Sequence, residues 1–545
     1  MSIDSNPDWW RDTVVYQVYP RSFADGNGDG VGDLPGLVAR LAHIAELGCG
    51  ALWISPWYRS PMADAGYDVA DYRDIDPIFG TLADADKVIA AAHESGLRVI
   101  IDIVPNHCSD QHPWFQAAVA AGPGSPERER FHFRPGSGPD GSEPPNDWPS
   151  GFGGPGWTRA SSPGGEPEEW YLHLFSPAQP DFNWDHPEVR AEFESILRFW
   201  FERGVDGFRI DVGNLLIKQE GLPSRAPLEA AGEPSPYEDR PEVHDVYRGW
   251  RRVANSYVGT RIFVGELWVH PTSLKRYLRP DELHTGFNFP YLQAPWQAGP
   301  LRSIIDSTLD LHAEVGAPAT WVLGNHDVTR VVTRFGRSAE GWTPEGDRDT
   351  PVDLELGTRR ARAAALLYLA LPGCAYVYQG EELGLWEVED IPAELRQDPT
   401  FAQTDGRNPG RDGCRVPLPW EADELWFGFG PTDELTEPWL PQPAAWRDQA
   451  ADVQSSDSAS VFSLYRDALR TRRTLSSGGR SSALTWVEAP EDVLHFERGD
   501  GFACIVNFGP ADVPLPEGAA IVLASAPIVD GLLPTDTAAW LRRNS

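Results

Sequence analysis

Along most of this chain of 545 residues, short runs of β-branched and aromatic side chains alternate with longer stretches whose apolar positions recur every three to four residues. That alternation is the pattern of parallel β/α units. The runs predict strands at Thr13–Pro20, Ala51–Ser55, Arg98–Pro105, Gly207–Val212, Ile262–Leu267, His284–Phe289, Thr320–Asp327 and Ala375–Glu381. Helical patterns separate most of them, for example Leu37–Leu47 and Pro187–Arg203. Eight strands with intervening helices favour a closed (β/α)8 barrel, the TIM-barrel architecture, over an open doubly wound sheet.

Two regions break the rhythm. From Cys108 to Pro177 the chain is dense in Gly, Pro and Ser (GSGPDGSEPPNDWPSGFGGPGW) with few helical signals. It leaves the third strand at its C-terminal end, where a barrel keeps its active site, so it is expected to wall the pocket. After a last helix at Val461–Leu475, short strands (VLHFERG, FACIVNFG, AIVLAS) separated by turn residues predict a small antiparallel domain. The expected division is a barrel over 1–107 and 178–478, an inserted domain at 108–177, and a β-sandwich at 479–545.

Composition narrows the class. Hydrophobic residues at 41%, with 22 Trp, are ample for a large core and exclude a disordered chain. The 81 Asp plus Glu outnumber the 46 Lys plus Arg, giving a net charge of −35. So negative a chain lacks the basic stripe that nucleic acids or anionic membranes require. The cations are nearly all Arg; the lysines are Lys87, Lys218 and Lys275. Five widely spaced cysteines without a C-x-x-C pair fit reduced thiols. The N-terminal MSIDSNPDWWRD carries acids and a Pro where a signal peptide needs basic and then apolar residues, and no stretch of 18 apolar residues occurs. A cytosolic protein, monomeric or homodimeric, is expected.

The informative acids are those at the C-terminal ends of barrel strands, because these ends converge on one mouth. Asp211 follows the fourth strand, Glu266 the fifth and Asp327 the seventh, with Arg209, His107 and His326 beside them. An apolar strand that ends in an acid costs burial energy unless the acid is paired or used. Several carboxylates without a metal-binding His cluster suit glycosidic-bond cleavage, in which one attacks or activates water and a protonated one donates to the leaving oxygen. Arg209, two residues before Asp211 and so on the same strand face, is expected to hold Asp211 ionised.

DIVPNH (102–107), GFRIDV (207–212), GELW (265–268) and GNHD (324–327) resemble, in order and spacing, the four signature regions of the α-amylase family of glycoside hydrolases. QPDFNW (179–184) and the opening YQVYPRSFADGNGDGVGDLPG resemble its oligo-1,6-glucosidase and α-glucosidase branch. The resemblance implies a retaining mechanism with Asp211 as nucleophile, Glu266 as acid/base and Asp327 as the acid that orients the sugar. His107, Arg209 and His326 would contact the sugar in the −1 subsite. Asp64 and Tyr67 in DAGYD resemble further −1 residues, and Arg415 in GRDGCRVPLPW matches the Arg that closes the pocket with the Asp at position 64. That motif departs from the branch form R-x-P-M-Q-W on the +1 side. Val212, following the nucleophile, leans towards α-1,6 linkages.

The run Asp25-x-Asn27-x-Asp29-x-Val31-x-Asp33, with alternate glycines, offers side-chain oxygens and one carbonyl to a hard cation, Ca²⁺ or Mg²⁺. The resemblance also places a structural Ca²⁺ there. The reading is an exo-acting α-glucosidase on short neutral oligosaccharides or α-glucosides. The alternative is a transglucosylase or isomerase of the same fold, in the manner of trehalose synthase or sucrose isomerase. A non-catalytic barrel such as a transporter subunit is disfavoured because all three acids and both His are present.

Overall fold

The structure is a computed structural model describing residues 6–161, 167–337, 350–431, 436–476, 483–499 and 501–543. All eight predicted barrel strands are present: β1 (Val14–Val18), β2 (Ala51–Ile54), β3 (Arg98–Ile103), β4 (Gly207–Ile210), β5 (Ile262–Gly265), β6 (Thr285–Gly286), β7 (Thr320–Val322) and β8 (Cys374–Tyr378). They pair in parallel in the order β6-β5-β4-β3-β2-β1-β8-β7. Among the described residues β6 and β7 do not pair, so the barrel is nearly closed. That gap is filled by side chains, with Tyr291 edge-on to Trp321 at 5.1 Å and Phe287 edge-on to Tyr376 at 4.9 Å. Most strands end two or more residues before the sequence pattern suggests, because the residues that carry chemistry have turned off the ladder.

Strand parity builds two cores. Val15, Trp53, Ile100, Ile262, Val264, Val322 and Tyr376 point inward and pack together, with Trp9 and Trp10 in the same cluster. Tyr16, Val18, Leu52, Ile54, Ile101, Phe208 and Phe263 point outward to the helices. Carrying the inward parity two residues further reaches Gln17 from Val15, Asp102 from Ile100 and Arg209 from Gly207, all buried. The barrel interior therefore ends in a polar layer.

Helices start where capping chemistry allows. Leu34–Leu47 begins three residues before its apolar pattern because the Asp33 side chain accepts from Gly36 N–H and Pro35 suits the first turn, and it stops at Gly48, whose φ is 101°. The inserted segment holds a helix, Pro113–Ala121, that its composition does not advertise. Its Pro in the first turn and its Ala-rich body explain it. A three-stranded antiparallel sheet of 133–134, 167–172 and 157–161 follows.

The expected C-terminal boundary at 479 lies outside the described residues. Beyond it, β9 (Leu484–Trp486), β10 (Val493–Arg498), β11 (Phe502–Asn507), β12 (Ala519–Ala524) and β13 (Thr537–Arg543) form one antiparallel sheet, ordered β9-β10-β11-β13-β12. One face, with Phe502, Cys504, Val506 and Trp540, joins the barrel core. Trp540 donates from Nε1 to the Leu366 carbonyl, 2.8 Å away, in the barrel helix Leu354–Ala370. The other face, with Ala503, Ile505 and Leu541, packs on a two-stranded ribbon at 513–514 and 532–533. The five cysteines are all buried and unbridged. No helix among the described residues is long and apolar enough to cross a membrane.

Candidate active site

The polar layer becomes a site because Arg209 rises from β4 into the barrel mouth and meets three carboxylates. Its Nη1 donates to Asp102 Oδ1 at 2.7 Å and to Asp211 Oδ1 at 2.9 Å, and its Nη2 to Glu266 Oε2 at 2.5 Å. Glu266 is one inward step past Val264, and Asp211 one past Arg209. The chain turns sharply after Asp211: Val212 has φ of 36°, strained for a β-branched residue, and its N–H reaches Glu266 Oε2 at 3.1 Å. The other carboxylate oxygen of Glu266 accepts from Trp268 Nε1 at 2.8 Å. Trp268, stacked on Phe289 with ring centres 3.6 Å apart, is 45% exposed and forms an aromatic rim.

One guanidinium cannot neutralise three acids. Burial pushes the Asp211 carboxyl well above the ordinary range; Arg209 pulls it back, and the charges of Glu266, Asp102 and Asp327 push it up again. Burial likewise raises Asp102 to about 6 against the pull of Arg209. The expectation that Arg209 simply holds Asp211 ionised is therefore corrected: its charge is divided over Asp102, Asp211 and Glu266.

The same pocket is lined by a second ionic group. Arg411 Nη2 is 2.6 Å from Asp64 Oδ1, its Nη1 is 3.1 Å from Asp327 Oδ1, and its Nε is 2.5 Å from Asp398 Oδ2. Arg415, expected to close the pocket with Asp64, instead donates from Nη2 to Asp327 Oδ1 at 2.9 Å and from Nε to the His326 carbonyl at 2.8 Å. The short 3-10 turn Asp412–Cys414 between the two arginines puts Arg411 at the pocket wall and buries Arg415 behind Asp327. Burial opposes ionisation of Asp327, but His326, Arg411, Arg415 and Arg209 prevail and hold its carboxyl well below the usual range. Burial raises Asp64 despite Arg411.

The remaining expected residues join the two groups. Tyr67 Oη is 2.6 Å from His326 Nε2 and 3.3 Å from Asp102 Oδ2. His326 Nδ1 is 2.7 Å from Gln17 Nε2, and its Nε2 is 3.2 Å from Asp327 Oδ2. His107 meets the Tyr67 carbonyl at 3.2 Å. Together they line a pocket of about 400 Å³ whose walls include Asp64, Tyr67, His107, Asp211, Glu266, Asp327 and Arg411, with Phe152, Phe175 and Trp268 as aromatic surface. That is the size and mixture of a small-ligand site. Sequence reasoning missed Arg411, Gln179 and Asp398. The first two lie inside motifs already quoted, and Asp398 lies outside them.

The cation loop folds tightly. Asp25 accepts from the N–H groups of Asn27, Gly28 and Gly30, Asn27 Oδ1 from Asp29, Asp29 from Val31, and Asp33 from Gly26 and Gly36. Burial raises Asp33 to about 6, with the charges of Asp25 and Asp29 adding to it. Three carboxylates, an amide and the Val31 carbonyl within one loop fit a hard cation in kind. Among the described residues, however, no three His, Cys, Asp or Glu are drawn together in a ready-made metal cluster.

A family model described as the α-amylase catalytic domain matches residues 17–478. A probable alpha-glucosidase of Rhizobium meliloti (strain 1021) is 39% identical over 525 residues, covering 92% of this chain and 88% of its own. An oligo-1,6-glucosidase of Parageobacillus thermoglucosidasius is 34% identical, covering 85% and 84%. The crystal structure of an alpha-glucosyl transfer enzyme, XgtA, superposes with a TM-score of 0.81 at 34% identity, covering 98% of this chain and 99% of that one. With the barrel, its four motif regions and the carboxylates they bring to one mouth, the chain belongs to the α-amylase family of glycoside hydrolases.

Proposed function

We propose that this glycoside hydrolase is an exo-acting, retaining α-glucosidase that releases terminal α-1,4- or α-1,6-linked glucose from short oligosaccharides and α-glucosides. The observation that carries this reading is the ion-paired wall Asp64–Arg411–Asp327, which lines the same pocket as Asp211 and Glu266. Such a wall meets the non-reducing-end hydroxyls with bidentate groups and leaves no room for a further sugar. Asp211 and Glu266 hold one proton between them: Asp211, as the carboxylate that Arg209 favours against burial, attacks the anomeric carbon, and Glu266 carries the proton to the leaving oxygen. Glu266 then takes a proton from the water that opens the glucosyl-enzyme. Asp211 and Glu266 bind neighbouring nitrogens of one guanidinium, which supports the short carboxylate separation of about 5–5.5 Å that retention uses. Asp327, kept ionised, orients the sugar, with Tyr67, His107, His326 and Arg209 around it.

The experiment is incubation with maltose, isomaltose, sucrose and trehalose, with products and their anomers followed by NMR. α-Glucose appearing first from maltose or isomaltose is expected; β-glucose as first product, or cleavage of end-blocked longer chains, sinks the reading. The likeness to an alpha-glucosyl transfer enzyme and the exposed Trp268, backed by the buried Phe289 ring, favour one second reading, transfer to a sugar acceptor or isomerisation. It is recognised by longer or rearranged sugars at high substrate concentration.

The loop from Asp25 to Asp33 is proposed to hold Ca²⁺ through Asp25, Asn27, Asp29, Asp33 and the Val31 carbonyl. The ion would offset the charges of Asp25 and Asp29 that act on Asp33 at the start of helix Leu34–Leu47. Chelation by EDTA is expected to lower Tm, and added Ca²⁺ to restore it. In Asp29→Ala the shift should vanish. A Tm indifferent to EDTA removes the ion from the account.

A further inference from the structure

Beneath the pocket, on the loop that leaves Asp211, lies a lysine that the reaction does not use. Lys218 is one of three lysines in the chain, and its side chain is fully buried. A buried ammonium is tolerated only with partners. Its Nζ donates to Asn106 Oδ1 at 2.6 Å and to the Leu215 carbonyl at 2.7 Å. Its third partner is Asp181 Oδ2 at 2.8 Å, a contact of charge rather than an aligned hydrogen bond. These partners come from three elements: the end of β3, the nucleophile loop and the exit of the inserted segment.

An ammonium only donates, so the Asn106 atom facing Lys218 is the amide oxygen, and its NH₂ faces His107 Nδ1, 3.2 Å away. That ring nitrogen is therefore the acceptor, and the ring proton sits on Nε2, towards the Tyr67 carbonyl and the pocket. Gln179 Nε2, which donates to Asp64 Oδ2 at 3.1 Å, stands 3.2 Å from His107 Nε2. The two N–H groups of Gln179 are taken by Asp64 and by the Tyr67 carbonyl at 3.4 Å, while a second ring proton on Nδ1 would meet the Asn106 NH₂, an arrangement that admits one ring proton and opposes two. The charges around the ring are Asp181 and Lys218 beneath it, and Asp64, Asp211 and Arg411 across the pocket. Burial lowers His107 to about 4; Asp181 works against this and Lys218 with it.

We propose that Lys218 is a positioning residue of the sugar site: it orients the Asn106 amide and balances Asp181, so that His107 meets the sugar as a neutral, fixed imidazole. Neutrality matters because the transition state of glycoside cleavage carries positive charge at the sugar ring, and an imidazolium beside it would raise the barrier. The inference rests on His107 as a −1 contact, as given above.

The test follows the His107 imidazole signals by NMR against pH for Lys218→Met, Asp181→Asn and the double variant, with kcat on maltose measured alongside. Lys218→Met leaves Asp181 uncompensated beside His107, so the His107 titration is expected to move up by about one pH unit or more, with kcat lowered and little change in KM. The charge-balanced double variant should return the titration to the wild-type position. A lysine that merely braces the loops would lower activity and leave the titration in place, which overturns the proposal. If Lys218→Met does not fold, the comparison of Asp181→Asn with the double variant decides: removing Lys218 must still raise the His107 titration. Asp211→Asn remaining active on maltose would sink the functional reading itself, independently of these outcomes.

Discussion

Asp211→Asn is expected to lower kcat on maltose by on the order of 10⁴-fold or more, the scale of losing a nucleophile that works as part of a unit. The protein should become no less stable. Asp211 shares one guanidinium with Asp102 and Glu266, so removing its charge relieves like-charge crowding while an amide keeps the shape. Tm is therefore expected to hold or rise while activity collapses, the opposite of what a core acid would show. Glu266→Gln tests the partner role. Its one amide oxygen can still accept from Arg209 Nη2 and the Val212 N–H, at the expense of the Trp268 Nε1 bond, so the shape is kept while the donated proton is lost. The deficit should be large for maltose and smaller for a glucoside whose leaving group departs without protonation. Near-native turnover in either variant removes the assignment.

Arg411→Ala is expected to cost about 3–5 kcal/mol of stability, because it strips the partner from buried Asp64 and Asp398 at once. It should also lower kcat/KM on maltose by about 10²-fold or more through the lost wall. Arg411→Lys should rescue little. The guanidinium reaches Asp64, Asp327 and Asp398 from three different nitrogens, whereas an ammonium is a single point. Calorimetry and steady-state kinetics read both effects. If the alanine variant keeps full kcat/KM, Asp64–Arg411 is not the sugar-facing wall.

How far the site can be read from sequence follows from where periodicity operates. Asp211, Glu266 and Arg209 were legible because the two-residue alternation of a strand continues briefly past its last ladder bond. Arg411 was not. It lies four residues before Arg415 on an irregular segment, where no period says which arginine faces Asp64, and the answer rests on a single 3-10 turn. Asp398, which fixes the Arg411 side chain, caps a short helix at Pro399–Gln403 and carries no motif. The division of Arg209 among three acids was hidden too, since Asp102 reads as part of an apolar strand until the barrel is closed in space. In the C-terminal sheet, TAAWLRR lies outside the strands that the sequence pattern marks, yet it forms the strand β13 between β11 and β12. Its alanines are small because both faces are covered: Ala538 and Trp540 on the barrel side, Ala539 and Leu541 on the other.

The gap between β6 and β7 gives the barrel, in backbone terms, two ends where a ring would have none. An open sheet edge invites a strand from another molecule to add itself, the usual route to edge-to-edge association. Here the ends are two and three residues long, buried along their whole length, and roofed by aromatic rings. The missing ladder thus leaves no strip of backbone long enough for a foreign strand to register on. A chain of this size can leave its sheet unclosed beside the substrate mouth without becoming self-adhesive.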